Sequence, residues 1–325
     1  MKAHAIRIHE YGGPDVLRWE EADVPKPGCG EALIRHTAIG LNFIDTYHRT
    51  GLYPMGLPTG LGREAAGIVE SIGPDVTDVA IGDRVVYAGG PLGSYSEQRV
   101  IDTAGLVPVP AFLSDEVAAA VFLKGLTAWY LLHRSYRVRQ GDPILLYAAA
   151  GGVGSLASQW AKRLGAMVIG IVSTPAKAKL AKAQGCDHVI MADNTNIPGA
   201  VMSLTGGAGV AAVYDSVGRD TFFTSLDCLR PHGTMVTFGN ASGAVEPFAP
   251  AELARRGSLY VTRPILEHFV ETRAKLLQAA DELFAFIRND KPVIRIGQKY
   301  ALRDAAQAHR DLEARKTKGS TILLS

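Results

Sequence analysis

The sequence predicts an α/β protein in two parts, a β-rich region followed by a doubly wound parallel sheet. Three observations carry that prediction. Residues 1 to 125 alternate short β-type runs with turn-forming clusters. From Pro143 the pattern changes to strand and helix in alternation, the mark of a parallel sheet with helical crossovers. At the change stands the stretch from Ile144 to Gly154, an apolar run that breaks into Ala148-Ala149-Ala150-Gly151-Gly152-Val153-Gly154 and opens an amphipathic segment.

In the first region, Ala3 to His9, Ala32 to Ile39, Ala66 to Ile72, Arg84 to Ala88 and Tyr95 to Val100 read as strands. Gly12-Gly13-Pro14-Asp15, Pro25-Lys26-Pro27-Gly28, Gly73-Pro74-Asp75 and Gly82-Asp83 supply turn chemistry between them. That spacing predicts a compact, partly barrel-like β domain. Ser114 to Arg134 then reads as helical, with Ser114 as N-cap before Asp115 and Glu116.

Ile144 to Leu146 suits a buried parallel strand. Val153, Leu156, Trp160, Ala161 and Leu164 recur at helical spacing, and Gly165 closes that helix. Strand, glycine turn and helix make the phosphate-binding corner of a dinucleotide fold, where an anion meets bare backbone at a helix N-terminus. Ala149 stands where the fingerprint usually has its first glycine; Gly151 and Gly154 fill the other two places. Met167 to Val172 and Ala176 to Gln184 complete a βαβ unit. Further strands are expected at His188 to Met191, Val210 to Asp215, Thr234 to Gly239 and Leu259 to Thr262. A long helix over Leu266 to Arg288, a strand over Val293 to Tyr300, a helix over Arg303 to Arg315 and a strand over Ser320 to Leu324 do not extend that sheet naturally. They are expected to return to the first domain, giving domains of 1–125 with 264–325, and 126–263.

The chain has 325 residues, 47% hydrophobic and 20% charged, with a net charge of +2. That balance argues against nucleic acid or an anionic membrane as main partner. No apolar run approaches the ~18 residues of a spanning helix, and the start lacks a signal-peptide core. Cys29, Cys186 and Cys228 form no framework, which suits a reducing compartment. A soluble cytoplasmic protein is the expectation.

Several blocks together resemble one family. They are Leu41-Asn42-Phe43-Ile44-Asp45-Thr46-Tyr47, Gly62-Arg63-Glu64-Ala65-Ala66-Gly67, Gly82-Asp83-Arg84-Val85-Val86-Tyr87, Phe122-Leu123-Lys124-Gly125-Leu126-Thr127-Ala128, Ala148 to Gly154, Tyr214 to Gly218, Phe238-Gly239-Asn240, Tyr260 to Pro264 and Gly319-Ser320-Thr321. The resemblance is to the quinone oxidoreductase branch of the medium-chain dehydrogenases/reductases, and it runs nearly the whole length. It implies a GroES-like β-rich catalytic domain, a Rossmann domain, NADPH as hydride donor, quinones as acceptors and a homodimer. The short run Leu259 to Thr262 is a candidate edge strand for pairing across a two-fold axis.

The same superfamily includes zinc alcohol dehydrogenases, whose catalytic metal takes a Cys and a His. The matching positions here are Asn42 and Arg63. An arginine cannot shed its proton to become a ligand, and an amide oxygen is a poor zinc donor. No metal is therefore expected. Without a Lewis acid, alcohol oxidation is disfavoured and reduction of a conjugated acceptor is favoured.

An NAD site generally places an acid at the end of the second strand. Here that place reads Val172-Ser173-Thr174, no acid occurs from Pro143 through Cys186, and Lys177 and Lys179 follow. A 2′-phosphate would find hydroxyls and positive charge, although lysines are also the ordinary solvated face of a helix. Ala192 and Asp193, after the third strand, depart from the family's usual tyrosine.

By resemblance, Asn42, Asp45 and Tyr47 lie beside the nicotinamide, with Lys124 and Thr127 nearby. The backbone of Gly151, Gly152, Val153 and Gly154 cradles the pyrophosphate; Ser173, Thr174 and Lys177 are the residues that a 2′-phosphate would meet. Ser216, Phe238, Gly239, Asn240 and Ser242 border the cofactor's path, closed by Arg263 and Pro264. Two other readings stay open: an NADPH-dependent enoyl or alkenal double-bond reductase, and a non-catalytic NADPH-binding protein.

Overall fold

The computed structural model describes every residue from Met1 to Ser325. The chain divides into two compact units, one of Met1–Lys124, Val270–Phe284 and Ile294–Ser325, the other of Gly125–Phe269 and Ala285–Val293.

The first unit is built on antiparallel β-structure. Its organising strand is Glu31–Leu41, buried on both faces over Ala32 to Ile34 and again over Ala38 to Leu41. It pairs antiparallel with Glu64–Ile72, with Gln98–Asp102 and with Ser320–Leu324. Ile296–Ala301 joins the outer side of the last strand in parallel, so the end of the chain returns to the first unit. A smaller sheet pairs Lys2–Ile8 with Arg18–Asp23 and with Thr59–Gly60. Ile34, Ile39, Tyr87, Tyr95 and Leu323 belong to the core between these elements.

The second unit is a six-stranded, wholly parallel sheet. Counted from Pro143–Leu146 as its first strand, the order is 3-2-1-4-5-6, the doubly wound arrangement that binds dinucleotides at the strand C-termini. Its strands are buried on both faces, as Val210–Asp215 shows at all six positions. Tyr260–Thr262 is one edge and His188–Met191 the other, and Tyr260 is 62% exposed.

The structure departs from the sequence expectation in several places. The helix expected from Leu266 begins at Arg273, because the Thr272 hydroxyl caps it by accepting from the Lys275 amide at 3.3 Å. A separate 3-10 turn covers Leu266–His268. The strand expected from Tyr95 begins at Gln98; residue 95 instead lies where its backbone is bonded to Leu61 and Ile6. The strand expected from Val293 begins at Ile296. Arg18–Asp23 forms a strand and Phe43–Thr50 a helix outside the expected elements; both are short and rich in polar residues. No helix is long and apolar enough to cross a membrane.

Candidate active site

In the first unit the site begins at the helix Phe43–Thr50. Asn42 is its N-cap, in extended backbone, and Gly51 ends it in the left-handed region at φ +79°. Asp45, at the third helical position, reaches back and accepts from the Asn42 backbone N–H at 2.9 Å. The Asn42 side chain also reaches Glu64, donating from Nδ2 to Oε2 at 2.8 Å. Its orientation follows from the chemistry, since an ionised carboxylate only accepts.

Glu64 is fully buried and is the hub. Besides Asn42 it accepts from the Leu123 backbone N–H at 2.6 Å and pairs with the Lys124 ammonium at 3.3 Å. Lys124 is itself only 6% exposed. A glycine is required beneath this carboxylate: a Cβ on Gly40 would sit 2.1 Å from the Glu64 carboxylate and 2.4 Å from the Ala119 carbonyl oxygen.

Asp45 has no exposed surface. Its carboxylate also accepts from the Tyr95 hydroxyl at 2.9 Å. Burial pushes its pKa up to about 6, against the lowering effects of the Asn42 N–H, Tyr95 and Lys124. Tyr47 stands two residues on and therefore faces another way. Its ring packs edge-on to Tyr53 at 5.3 Å and against Phe43 at 5.6 Å. An open cavity of about 360 Å³ lies in the same unit, lined by His48, Tyr53, Met55, Thr59, Arg63 and Leu92. It takes in neither Asn42 nor Asp45.

In the second unit the strand Pro143–Leu146 leads through a tight turn into the helix Gly152–Arg163. Ala148 takes the left-handed conformation, φ +52°, in that turn. A Cβ on Gly154 would come within 2.3 Å of the Ala148 carbonyl oxygen, so only glycine lets helix and strand approach this closely. Gly151 is the N-cap and no side chain caps the helix. Its first N–H groups are left for an anion, with the helix dipole behind them.

The second and third strands run in register, Val172 opposite Met191, and the Ala192 N–H donates to the Val172 carbonyl at 2.8 Å. Ala192 and Asp193 are thereby brought beside Ser173 and Thr174. Thr174 caps the helix Pro175–Ala183 through the Lys177 N–H at 3.2 Å, which sets Lys177 in the first turn. The loops after the fourth and fifth strands are tied together. Asp215 accepts from the Val217 and Gly218 N–H groups and from the hydroxyls of Thr221 and Ser225. The Ser242 hydroxyl donates to the Val217 carbonyl and accepts from the Asp220 N–H, joining the loop of Ser216 to that of Phe238, Gly239 and Asn240. Arg263 donates to the carbonyls of Thr237 and Gly239 at 2.9 and 3.4 Å, and Pro264 follows it as a buried residue. Thr127 is buried on the helix Asp115–Tyr130. The structure thus gathers Asn42, Asp45 and Lys124 in one network, Gly151 to Gly154 with Ser173 to Lys177 at one end of the parallel sheet, and sets Tyr47 apart from Asp45.

Sequence reading missed Glu64 and Tyr95 as members of this network. Only Asn42 and Asp45 carried a local signal, the three-residue spacing of a capping box.

A β-rich antiparallel unit and a 3-2-1-4-5-6 parallel sheet with an uncapped glycine turn define the class, a medium-chain dehydrogenase/reductase. Residues 28–111 match the alcohol dehydrogenase GroES-like domain and residues 152–281 the family described as zinc-binding dehydrogenase. A quinone oxidoreductase of Pseudomonas aeruginosa is 51% identical over 323 residues, covering 99% of each chain. The chain belongs to the quinone oxidoreductase family. The crystal structure of Escherichia coli quinone oxidoreductase complexed with NADPH matches with a TM-score of 0.97 at 47% identity, covering 99% of this chain and 100% of that one. A 2-haloacrylate reductase of a Burkholderia species is 44% identical and covers 98% of each chain.

The zinc named in the broader family does not fit these residues. Asn42 turns its amide nitrogen to Glu64, Arg63 offers only donors, and no three His, Cys, Asp or Glu side chains converge to hold a metal.

Proposed function

We propose that the protein reduces quinones with NADPH, without a metal. The observation that carries the reading is the uncapped helix at Gly151, next to a second strand that ends in Ser173-Thr174 with no acid. Those backbone N–H groups suit a pyrophosphate, and the hydroxyls with Lys177 suit a 2′-phosphate. The pyridine nucleotide supplies the hydride. The relative crystallised with NADPH supports the same choice.

In this reading the second unit is the cofactor domain, and Ser216, Phe238 to Ser242, Arg263, Pro264 and Thr127 shape its binding path. The first unit serves the acceptor. Asn42, held by Glu64 and backed by Asp45 and Lys124, offers its amide oxygen as a fixed acceptor. Tyr47 borders the acceptor ring, and water protonates the hydroquinone oxygens. Hydride transfer to an electrophilic quinone then needs alignment rather than a dedicated acid. The exposed edge Tyr260–Thr262 supports a homodimer paired through the parallel sheets, working in the cytoplasm. A second reading, reduction of a conjugated carbon–carbon double bond, is supported by the relative named 2-haloacrylate reductase.

The test is oxidation of NADPH and NADH by metal-free protein, with 1,4-benzoquinone and an α,β-unsaturated aldehyde side by side. Quinone turnover preferring NADPH and surviving chelation is expected. Turnover of the alkene alone would shift the assignment to the second reading, and a chelator-sensitive rate would overturn the metal-free site.

A further inference from the structure

We propose that Arg49, His309 and Tyr95 are positioning residues, a one-way chain of hydrogen bonds that keeps the Asp45 carboxylate an acceptor and so fixes Asn42 on Glu64. The proposal deepens the reading of Asn42 given above.

The direction of the chain follows from its first member. The Arg49 guanidinium is 1% exposed and can only donate. It forks onto Glu313 at 2.7 and 3.0 Å, donates from Nε to the Gly12 carbonyl at 3.0 Å, and donates from Nη1 to His309 Nδ1 at 3.0 Å. His309 is fully buried; burial, with Arg49 beside it, holds its pKa down to about 3. The ring is neutral, its Nδ1 accepts, and its one proton is on Nε2. That nitrogen lies 3.1 Å from the Tyr95 hydroxyl, which it donates to. Tyr95 has a single proton and gives it to Asp45 Oδ2 at 2.9 Å. Every donor in the row points toward Asp45.

Asp45 Oδ2 thus accepts twice, from Tyr95 and from the Asn42 N–H. Its other oxygen, Oδ1, is buried with no hydrogen-bond partner. A proton taken up at Oδ1 leaves Oδ2 in place but removes the charge that strengthens both of its bonds. The charges that face this carboxylate are Lys124, which favours its ionised form, and Glu64, which opposes it. Beyond Tyr95 stands the Arg49–Glu313 ion pair.

The row is not a proton wire. Passing the Tyr95 proton to Asp45 would draw the Nε2 proton from His309, and Arg49 has none to release to Nδ1. It acts as a brace. Arg49 lies in the last turn of the helix Phe43–Thr50 and Asp45 in the first, so one chain of bonds holds both ends of the helix that carries Tyr47.

The experiment follows turnover of 1,4-benzoquinone with NADPH from pH 5 to 8.5 in wild type, Tyr95→Phe, His309→Leu and His309→Gln. In the same proteins the Asp45 carboxyl is titrated by 13C NMR, assigned by its loss in Asp45→Asn. Wild type should show an acid limb in kcat/KM near the Asp45 midpoint. Tyr95→Phe should move limb and midpoint up by about one pH unit, the size of one lost hydrogen bond to a charged group, and His309→Leu, which leaves the Tyr95 proton in place but lets it turn away, should move them the same way by less. Activity would then fall several-fold at pH 6 and largely return at pH 8. His309→Gln, whose amide accepts from Arg49 and donates to Tyr95, should leave the limb in place. An equal loss at every pH, or glutamine behaving as leucine, would overturn the proposal. Tyr95→Phe decides alone where His309→Leu does not fold. Absence of any quinone turnover in wild type would defeat the oxidoreductase reading instead; the carboxyl midpoints still decide the chain, and unmoved midpoints would sink it.

Discussion

Glu64 accepts from Asn42, Lys124 and Leu123 within the first unit, whereas the helix Gly152–Arg163 in the second begins with no side-chain cap. One region engages its polar groups with each other and makes a rigid wall. The other leaves backbone donors for an outside anion and makes a socket. The difference teaches where charge belongs in each. In the wall a charge is tolerable because its partner is buried with it, and loss of one partner is severe. In the socket the charge arrives with the ligand, and the protein contributes dipoles and one or two lysines at its rim.

The largest effect is expected where the wall loses a charge. Glu64→Ala leaves the Lys124 ammonium buried without its carboxylate and should destabilise the protein by about 3–5 kcal/mol. Denaturant midpoints measure this. Lys124→Met in the Glu64→Ala background should recover a substantial part, and a purely additive double variant would show that the pair is not coupled.

Next comes pH. Burial raises the Asp45 pKa from 3.8 to about 6, so the folded chain holds that proton more tightly than the unfolded chain does. Stability from this group is therefore lost as pH rises from about 4 to about 6, by roughly 3 kcal/mol in all. Relative to Asp45→Asn, wild type should lose ground over that window. His36 and His309, held down to about 4 and about 3 by burial, work in the opposite sense and lose stability as pH falls below 6.5. They are common to both proteins and largely cancel in the difference. A gap that stays constant with pH would place the Asp45 proton elsewhere.

A smaller effect belongs to the socket. Lys177→Ala should raise KM for NADPH about tenfold, the size of one charge-assisted contact, with NADH nearly unchanged. Equal changes for the two cofactors would make Lys177 an ordinary surface lysine. The smallest effect is at Tyr47. Tyr47→Phe keeps the ring that packs on Tyr53 and should retain activity within about tenfold, below the ~10²–10⁴-fold of a general acid. A thousandfold loss with a missing pH limb would make the hydroxyl a proton donor and favour reduction at carbon.

The same contrast explains what sequence could convey. The socket is local: Ile144 to Gly154 contains strand, turn and helix start in consecutive residues, and the alternation after it announces the parallel sheet. Even there, the left-handed residue is Ala148, which no glycine marks. The wall is assembled from far apart. His309 meets Tyr95 across 214 positions, and Arg49 meets Glu313 across 264. Nothing near His309 distinguishes it from the other histidines, and Glu64 was legible only as part of a block whose arginine settled the question of zinc. Burial, not residue type, makes Asp45 unusual, and burial is a property of the finished fold.

The strand Ser320–Leu324 lies between Glu31–Leu41 and Ile296–Ala301 in the larger sheet of the first unit. Synthesis delivers Glu31–Leu41 early and its neighbour at the far end of the chain. The parallel sheet between them in sequence is contiguous up to Tyr260–Thr262 and contains its own core. On a translating ribosome the second unit can close first, while the first waits with one flank of its central strand unpaired. The order in which the residues are made thus leaves the second domain able to close before the first.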